Sequence, residues 1–101
     1  MAIFRRSGTG VYNATKAAVD ALTRTFSREL ADKRIRVNAI NPGLIATEGT
    51  HSVGFVQEGV DEIPGFGRIG RPEHIATGVV FLASQDSTWM NGETMFLTGG
   101  L

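Results

Sequence analysis

The chain contains no cysteine, which excludes a disulfide scaffold and thiolate metal sites and is compatible with a reducing compartment. Long apolar runs are missing too: none approaches the roughly 20 residues a helix needs to cross a bilayer. Neither sign of charge is in excess, with ten basic and ten acidic side chains. Arg5-Arg6 and Lys33-Arg34-Ile35-Arg36 are short and far apart. No basic stripe is therefore available for nucleic acid or an anionic membrane surface. Met1-Ala2-Ile3-Phe4-Arg5-Arg6 places its charge after the apolar residues, the reverse of a secretory signal. No repeat period, low-complexity tract or linker interrupts the chain. These absences leave a soluble, cytoplasmic protein with no nucleic-acid, membrane or metal partner as the expectation.

What is present is ordinary globular material. Of 101 residues, 42% are hydrophobic and 20% charged, enough for one domain or part of one and too apolar for a disordered segment. Residues 1–9 show little pattern beyond a Ser7-Gly8-Thr9-Gly10 turn, where Ser7 or Thr9 could cap a following helix. From about 10 to 32, Ala14, Ala18, Leu22, Phe26 and Leu30 recur every four residues. That period predicts a long amphipathic helix whose apolar stripe packs into a core or, alternatively, a subunit interface.

Residues 35–41, Ile35-Arg36-Val37-Asn38-Ala39-Ile40-Asn41, read as a strand closed by Pro42-Gly43. Its apolar residues fall on both faces, as in a sheet covered on both sides. Asn38 and Asn41 interrupt the run and are expected to bond loop backbone. The glycine-dense stretch 48–70 reads as a long functional loop with apolar groups that could cover a substrate. Arg71-Pro72-Glu73-His74 opens a second helix that runs to about residue 84, with Pro at its first position. Asn91-Gly92 marks a turn, and 94–98 reads as a final strand. Trp89 and Met90 are expected to pack on neighbours or on a partner subunit. The order helix, strand, loop, helix, strand implies an α/β class with parallel strands joined by a right-handed crossover.

One spacing carries chemistry. In Gly10-Val11-Tyr12-Asn13-Ala14-Thr15-Lys16, a helix puts the Tyr12 phenol and the Lys16 ammonium on one face, roughly 6 Å apart along the axis. A cation beside a phenol favours the phenolate, as a general acid–base requires. The same spacing also describes a solvated helix face. At the carboxyl end of a parallel strand, where ligands of open α/β sheets bind, stand Pro42 and Gly43. His51 and His74 carry no partner pattern. No Walker-type phosphate loop is present, which argues against phosphoryl transfer.

Several motifs then coincide in order. Tyr12-x-x-x-Lys16 in an alanine-rich helix is followed by Ile35-Arg36-Val37-Asn38 and by Pro42-Gly43 with Thr47. Gly67-Arg68-Ile69-Gly70-Arg71-Pro72-Glu73, Phe81-Leu82-Ala83-Ser84, Gly92 and Thr98-Gly99-Gly100 complete the series. Together they resemble the carboxyl-terminal half of the short-chain dehydrogenase/reductase family, particularly its 3-oxoacyl-carrier-protein-reductase-like members, over residues 8–101. The resemblance implies a doubly wound, Rossmann-like sheet and an NAD- or NADP-dependent oxidoreductase that interconverts an alcohol and a carbonyl. It implies that Tyr12 is the acid–base and that Lys16 tunes it and holds the nicotinamide ribose. It further implies that Pro42, Gly43, Ile45 and Thr47 border the nicotinamide, and that the parent protein is a homo-oligomer acting on a small-molecule alcohol or carbonyl.

Departures from the family pattern lie upstream. Family members are more than twice this long and begin with a strand, a glycine-rich phosphate loop and a helix, none of which occurs here. The family's catalytic Ser would fall ahead of Met1; Ser7 does not match it. Residues 1–101 are therefore expected to be a carboxyl-terminal fragment of one Rossmann-like domain, lacking the amino-terminal nucleotide-binding half and inactive alone. A non-enzymatic oligomerisation or interaction module is the alternative. Apolar helix faces and a strand edge meant for the absent half would leave such a chain marginally stable.

Overall fold

The computed structural model describes residues 8–43, 45–46 and 65–100. Helix α1 spans Gly10–Glu29. After Gly10 it contains neither glycine nor proline, and its first three turns carry Ala14, Ala17, Ala18 and Ala21, the residue with the best helix propensity. Thr9 stands at the N-cap; its carbonyl accepts from the Asn13 backbone N–H at 2.9 Å, and its hydroxyl accepts from Asn13 Nδ2 at 3.2 Å. The expected helix over 10–32 ends as an α-helix at Glu29 and continues as one 3₁₀ turn, Ala31–Lys33. Arg34 then reverses the chain in the left-handed region at φ 57°, a conformation that costs a non-glycine residue about 1–2 kcal/mol.

Strand β1 covers Ala39–Pro42 rather than 35–41. Before it, side-chain amides add to isolated backbone bonds such as that from the Gly92 N–H to the Val37 carbonyl at 2.8 Å. Val37 donates its N–H to Asn91 Oδ1 at 3.0 Å. Asn38 donates from Nδ2 to the Met90 carbonyl at 3.0 Å and accepts at Oδ1 from the Glu93 N–H at 3.1 Å. Asn38 thus does bond loop backbone, and in doing so it delays the start of the strand.

Helix α2, Pro72–Ala83, follows with Pro at its first position; a 3₁₀ turn, Gln85–Ser87, and strand β2, Thr94–Leu97, complete the described order. β1 and β2 pair in parallel with Ala39 opposite Thr94 and Pro42 opposite Leu97. Successive side chains of a strand point to opposite faces. Ile40 and Leu97 meet α2 at Gly78, where a Cβ would lie 2.4 Å from Leu97 Cδ1. Thr94 meets α1, its hydroxyl donating to Asp20 Oδ1 at 3.2 Å. One helix therefore lies on each face, an α/β architecture whose parallel strands are joined through α2.

The apolar stripe of α1 does not face this sheet. Leu22 and Phe26 are 49% and 43% exposed, while Asp20, Thr23 and Ser27 are the buried residues of the helix. Hydrogen bonds accompany the burial of this polar face. Asp20 accepts from Thr94. Thr23 and Ser27 turn their hydroxyls back to the Val19 and Arg24 carbonyls at 2.8 and 2.7 Å. Asn91 Nδ2 donates to the Ser27 carbonyl at 3.2 Å. Among the described residues no hydrophobic side chain is buried, and Trp89, expected to be packed, is 99% exposed.

Candidate active site

Tyr12 and Lys16 lie in the first two turns of α1, both exposed. The helix brings them together as the spacing predicts, with Lys16 Nζ 5.5 Å from the centroid of the Tyr12 ring. This is a cation over an aromatic face, so the ammonium sits beside the π-system while the phenol hydroxyl remains open to solvent and ligand.

Hydrogen bonds along α1 set where this pair stands relative to the sheet. Ser27 is tied to Asn91, before β2, and Asp20 to Thr94, its first residue. Moving toward the start of α1 thus means moving toward the carboxyl end of β2. Lys16 and Tyr12 lie roughly 6 and 12 Å beyond Asp20 at 1.5 Å per residue. Leu97 lies roughly 10 Å beyond Thr94 at strand rise. The pair is consequently level with the carboxyl ends of the two parallel strands.

Pro42 and Gly43 occupy that end. Gly43 donates its N–H to the Leu97 carbonyl at 3.0 Å, extending the pairing one residue past β1. A Cβ on Gly43 would lie 2.9 Å from Thr98 Cα, so close approach of the chain's own last strand is sufficient reason for glycine here. Ile45 forms a parallel bridge with Gly70, and Ala46 donates to the Gly70 carbonyl at 2.9 Å. Thr47, His51 and the loop segment 47–64 lie outside the described residues, as does Ser7. Among the described residues no group of three or more His, Cys, Asp or Glu side chains is placed to hold a metal, and no helix is long and apolar enough to cross a membrane.

Tyr12 and Lys16 thus present a hydroxyl and an ammonium on exposed side chains, level with the strand end at which Pro42 and Gly43 stand. Between the pair and the turn bearing Ile45 the site draws on the start of α1 and the end of β1.

Sequence reasoning missed the residues that hold these elements in place. Arg36 donates from Nη1 to the Ser87 and Met90 carbonyls at 2.8 and 3.3 Å and to Ser87 Oγ at 3.2 Å. Its Nη2 reaches the Leu82 and Ser84 carbonyls at 2.9 and 3.4 Å. One guanidinium thus closes the carboxyl end of α2 and anchors the approach to β1. His74, read only as a first-turn residue, accepts the Arg71 N–H at Nδ1, 2.8 Å away, while its own N–H donates to the Arg71 carbonyl at 2.9 Å. That reciprocal pair caps α2. The only sequence signal for either was the motif in which it stands.

Residues 2–101 match the family model described as enoyl-(acyl carrier protein) reductase. A 3-oxoacyl-[acyl-carrier-protein] reductase of Thermotoga maritima is 39% identical over 101 residues, covering 98% of this chain and 41% of that protein. A short-chain dehydrogenase/reductase from Brucella melitensis superposes with a TM-score of 0.82 at 37% identity, over 95% of this chain and 39% of the other. A 4-hydroxyisoleucine dehydrogenase mutant complexed with NADH and succinate superposes with a TM-score of 0.80 at 29% identity, over 88% of this chain and 38% of that one. The chain spans about two fifths of the length of these proteins.

Proposed function

The chain belongs to the short-chain dehydrogenase/reductase family, and we propose that it carries the proton-handling and nicotinamide-side part of an NAD(P)-dependent oxidoreductase site. The substrate is a small alcohol or carbonyl compound. The observation that carries this reading is the stacked Tyr12–Lys16 pair, level with the carboxyl ends of parallel strands. Nicotinamide, when bound, supplies the hydride chemistry. Tyr12 gives its hydroxyl proton to the carbonyl oxygen during reduction and takes it back from the alcohol during oxidation. The Lys16 ammonium offsets the charge left on Tyr12 when that proton departs and donates to the ribose. Pro42, Gly43, Ile45 and Thr47 border the nicotinamide. Residues 1–101 form the carboxyl-terminal portion of a single Rossmann-like domain and are inactive by themselves, because the described residues include no cradle for the pyrophosphate.

Turnover is therefore measured on a preparation in which additional chain completes the phosphate side. Tyr12→Phe should lower kcat by at least ~100-fold with NAD(P)H affinity retained, read by loss of NAD(P)H absorbance and by fluorescence titration. Wild-type turnover in that variant would remove Tyr12 from the role.

A second reading is favoured by one specific observation, the absence of any buried hydrophobic side chain among the described residues. In it the chain is an interaction module that joins an intact relative through the exposed stripe of α1 and through β2. Co-purification with a full-length dehydrogenase, without NAD(P)H binding by the chain itself, supports this reading over the first.

A further inference from the structure

At the carboxyl ends of β1 and β2 lies a cavity of about 410 Å³, bordered by Ile45, Phe66, Arg68, His74, Leu97 and Thr98. That volume suits a small organic ligand. One wall is a built contact rather than an accident of the surface. Phe66 donates its N–H to the Gly99 carbonyl at 2.8 Å. Gly65, at φ 71°, comes so close to Gly99 that a Cβ would collide with its carbonyl oxygen. Two glycine turns, one before α2 and one after β2, thus lock together and hold Phe66 at the rim.

Two exposed residues with donor groups, Arg68 and His74, stand in the lining of this space. Arg68 makes no hydrogen bond or ion pair with any described residue. His74 accepts the Arg71 N–H at Nδ1, so the proton of its neutral ring sits on Nε2, which is left free to donate. A guanidinium and an imidazole N–H in one lining with Ile45, Leu97 and the largely exposed Phe66 match a carboxylate with an apolar body. The guanidinium fork takes two carboxylate oxygens, and the apolar lining takes the hydrocarbon. A phosphate dianion suits the cavity less well, because a single fixed positive charge would leave part of its charge against apolar walls.

We propose that this cavity binds the carboxylate of a small apolar organic acid, with Arg68 as its charge partner and His74 as a second donor. The site uses neither Tyr12 nor Lys16, while Ile45 at its border is shared with the nicotinamide side proposed above.

Calorimetric titration of the 101-residue chain with hexanoate, hexan-1-ol and inorganic phosphate tests it, with far-UV circular dichroism reporting the fold throughout. Hexanoate should bind, hexan-1-ol and phosphate should not, and Arg68→Met should weaken hexanoate by roughly 10-fold or more while leaving the dichroism unchanged. Tyr12→Phe should bind hexanoate as the wild type does, which separates failure here from failure of the oxidoreductase reading. Equal binding of hexan-1-ol would show a merely apolar cleft and overturn the proposal. Equal binding of phosphate would show a generic anion site and overturn it as well. Unchanged affinity in Arg68→Met, or a chain that neither binds hexanoate nor gains structure from it at about 10 mM, would likewise end it.

Discussion

Arg36 shows how a single side chain can hold a fold of this kind together. Its guanidinium reaches the carbonyls of Leu82, Ser84, Ser87 and Met90, which lie at a helix end and the turn that follows it. Ser87, 2% exposed, completes the cluster, its one hydroxyl proton shared between the Phe81 and Leu82 carbonyls at 2.9 and 3.0 Å. Hydrogen bonds from a charged donor contribute about 1.5–3 kcal/mol. Arg36→Met should therefore lower stability by about 2–3 kcal/mol in urea titration, and Arg36→Lys should restore only a fraction, since an ammonium cannot span both sets of carbonyls. Full recovery by lysine would mean that charge alone, rather than the fork, is what the site uses. Tyr12 and Lys16 were legible at this scale because their relation is local: a four-residue spacing on a helix needs no tertiary information. The partners of Arg36 lie 46–54 positions away in sequence, and no local pattern points to them.

At the scale of elements, existence and order were legible, and facing was not. Both helices, both strands and their parallel pairing follow from periodicity, proline placement and turn residues. The α1 stripe is the exception. Its four-residue apolar repeat marks a real helix, but among the described residues the buried side of that helix carries Asp20, Thr23 and Ser27 rather than the stripe. Gly92 marks where that packing is tightest: it has φ 79°, and a Cβ there would lie 2.6 Å from Ser27 Oγ. Gly92→Ala should cost about 1–3 kcal/mol through left-handed strain and this contact, measured by chemical denaturation. A loss below about 0.5 kcal/mol would mean that α1 and the 91–92 turn do not approach one another as closely as described here. The β1 start moved from 35 to 39 for a related reason. Asn38 and Asn91 use their amides in place of the strand ladder, and an asparagine's choice of partner is not written in its neighbours.

Among the described residues the molecule is open. Its radius of gyration is 15.3 Å, against roughly 13 Å for a compact domain of 100 residues. Leu22, Phe26, Val79, Val80 and Trp89 are among the large apolar residues left exposed. Low burial on folding means a shallow denaturant dependence and marginal stability for the isolated chain. Exposed apolar faces of this extent also favour association. Leu22→Glu should therefore change the stability of the dilute chain by less than about 0.5 kcal/mol, yet reduce self-association or capture of a full-length relative, as measured by light scattering after gel filtration. A large loss of monomer stability in Leu22→Glu would show that the stripe is packed within one chain after all.

The amino-acid sequence by itself determined the family, the α/β class, the order of elements and the pairing of Tyr12 with Lys16. Each of these depends on periodicity or on motif spacing, which are properties of neighbouring residues. Only the tertiary structure decided which face of α1 meets the sheet, where β1 begins, what Arg36 and His74 hold, and that Arg68 and His74 share a cavity. Those outcomes depend on contacts between residues distant in sequence, which no local pattern encodes.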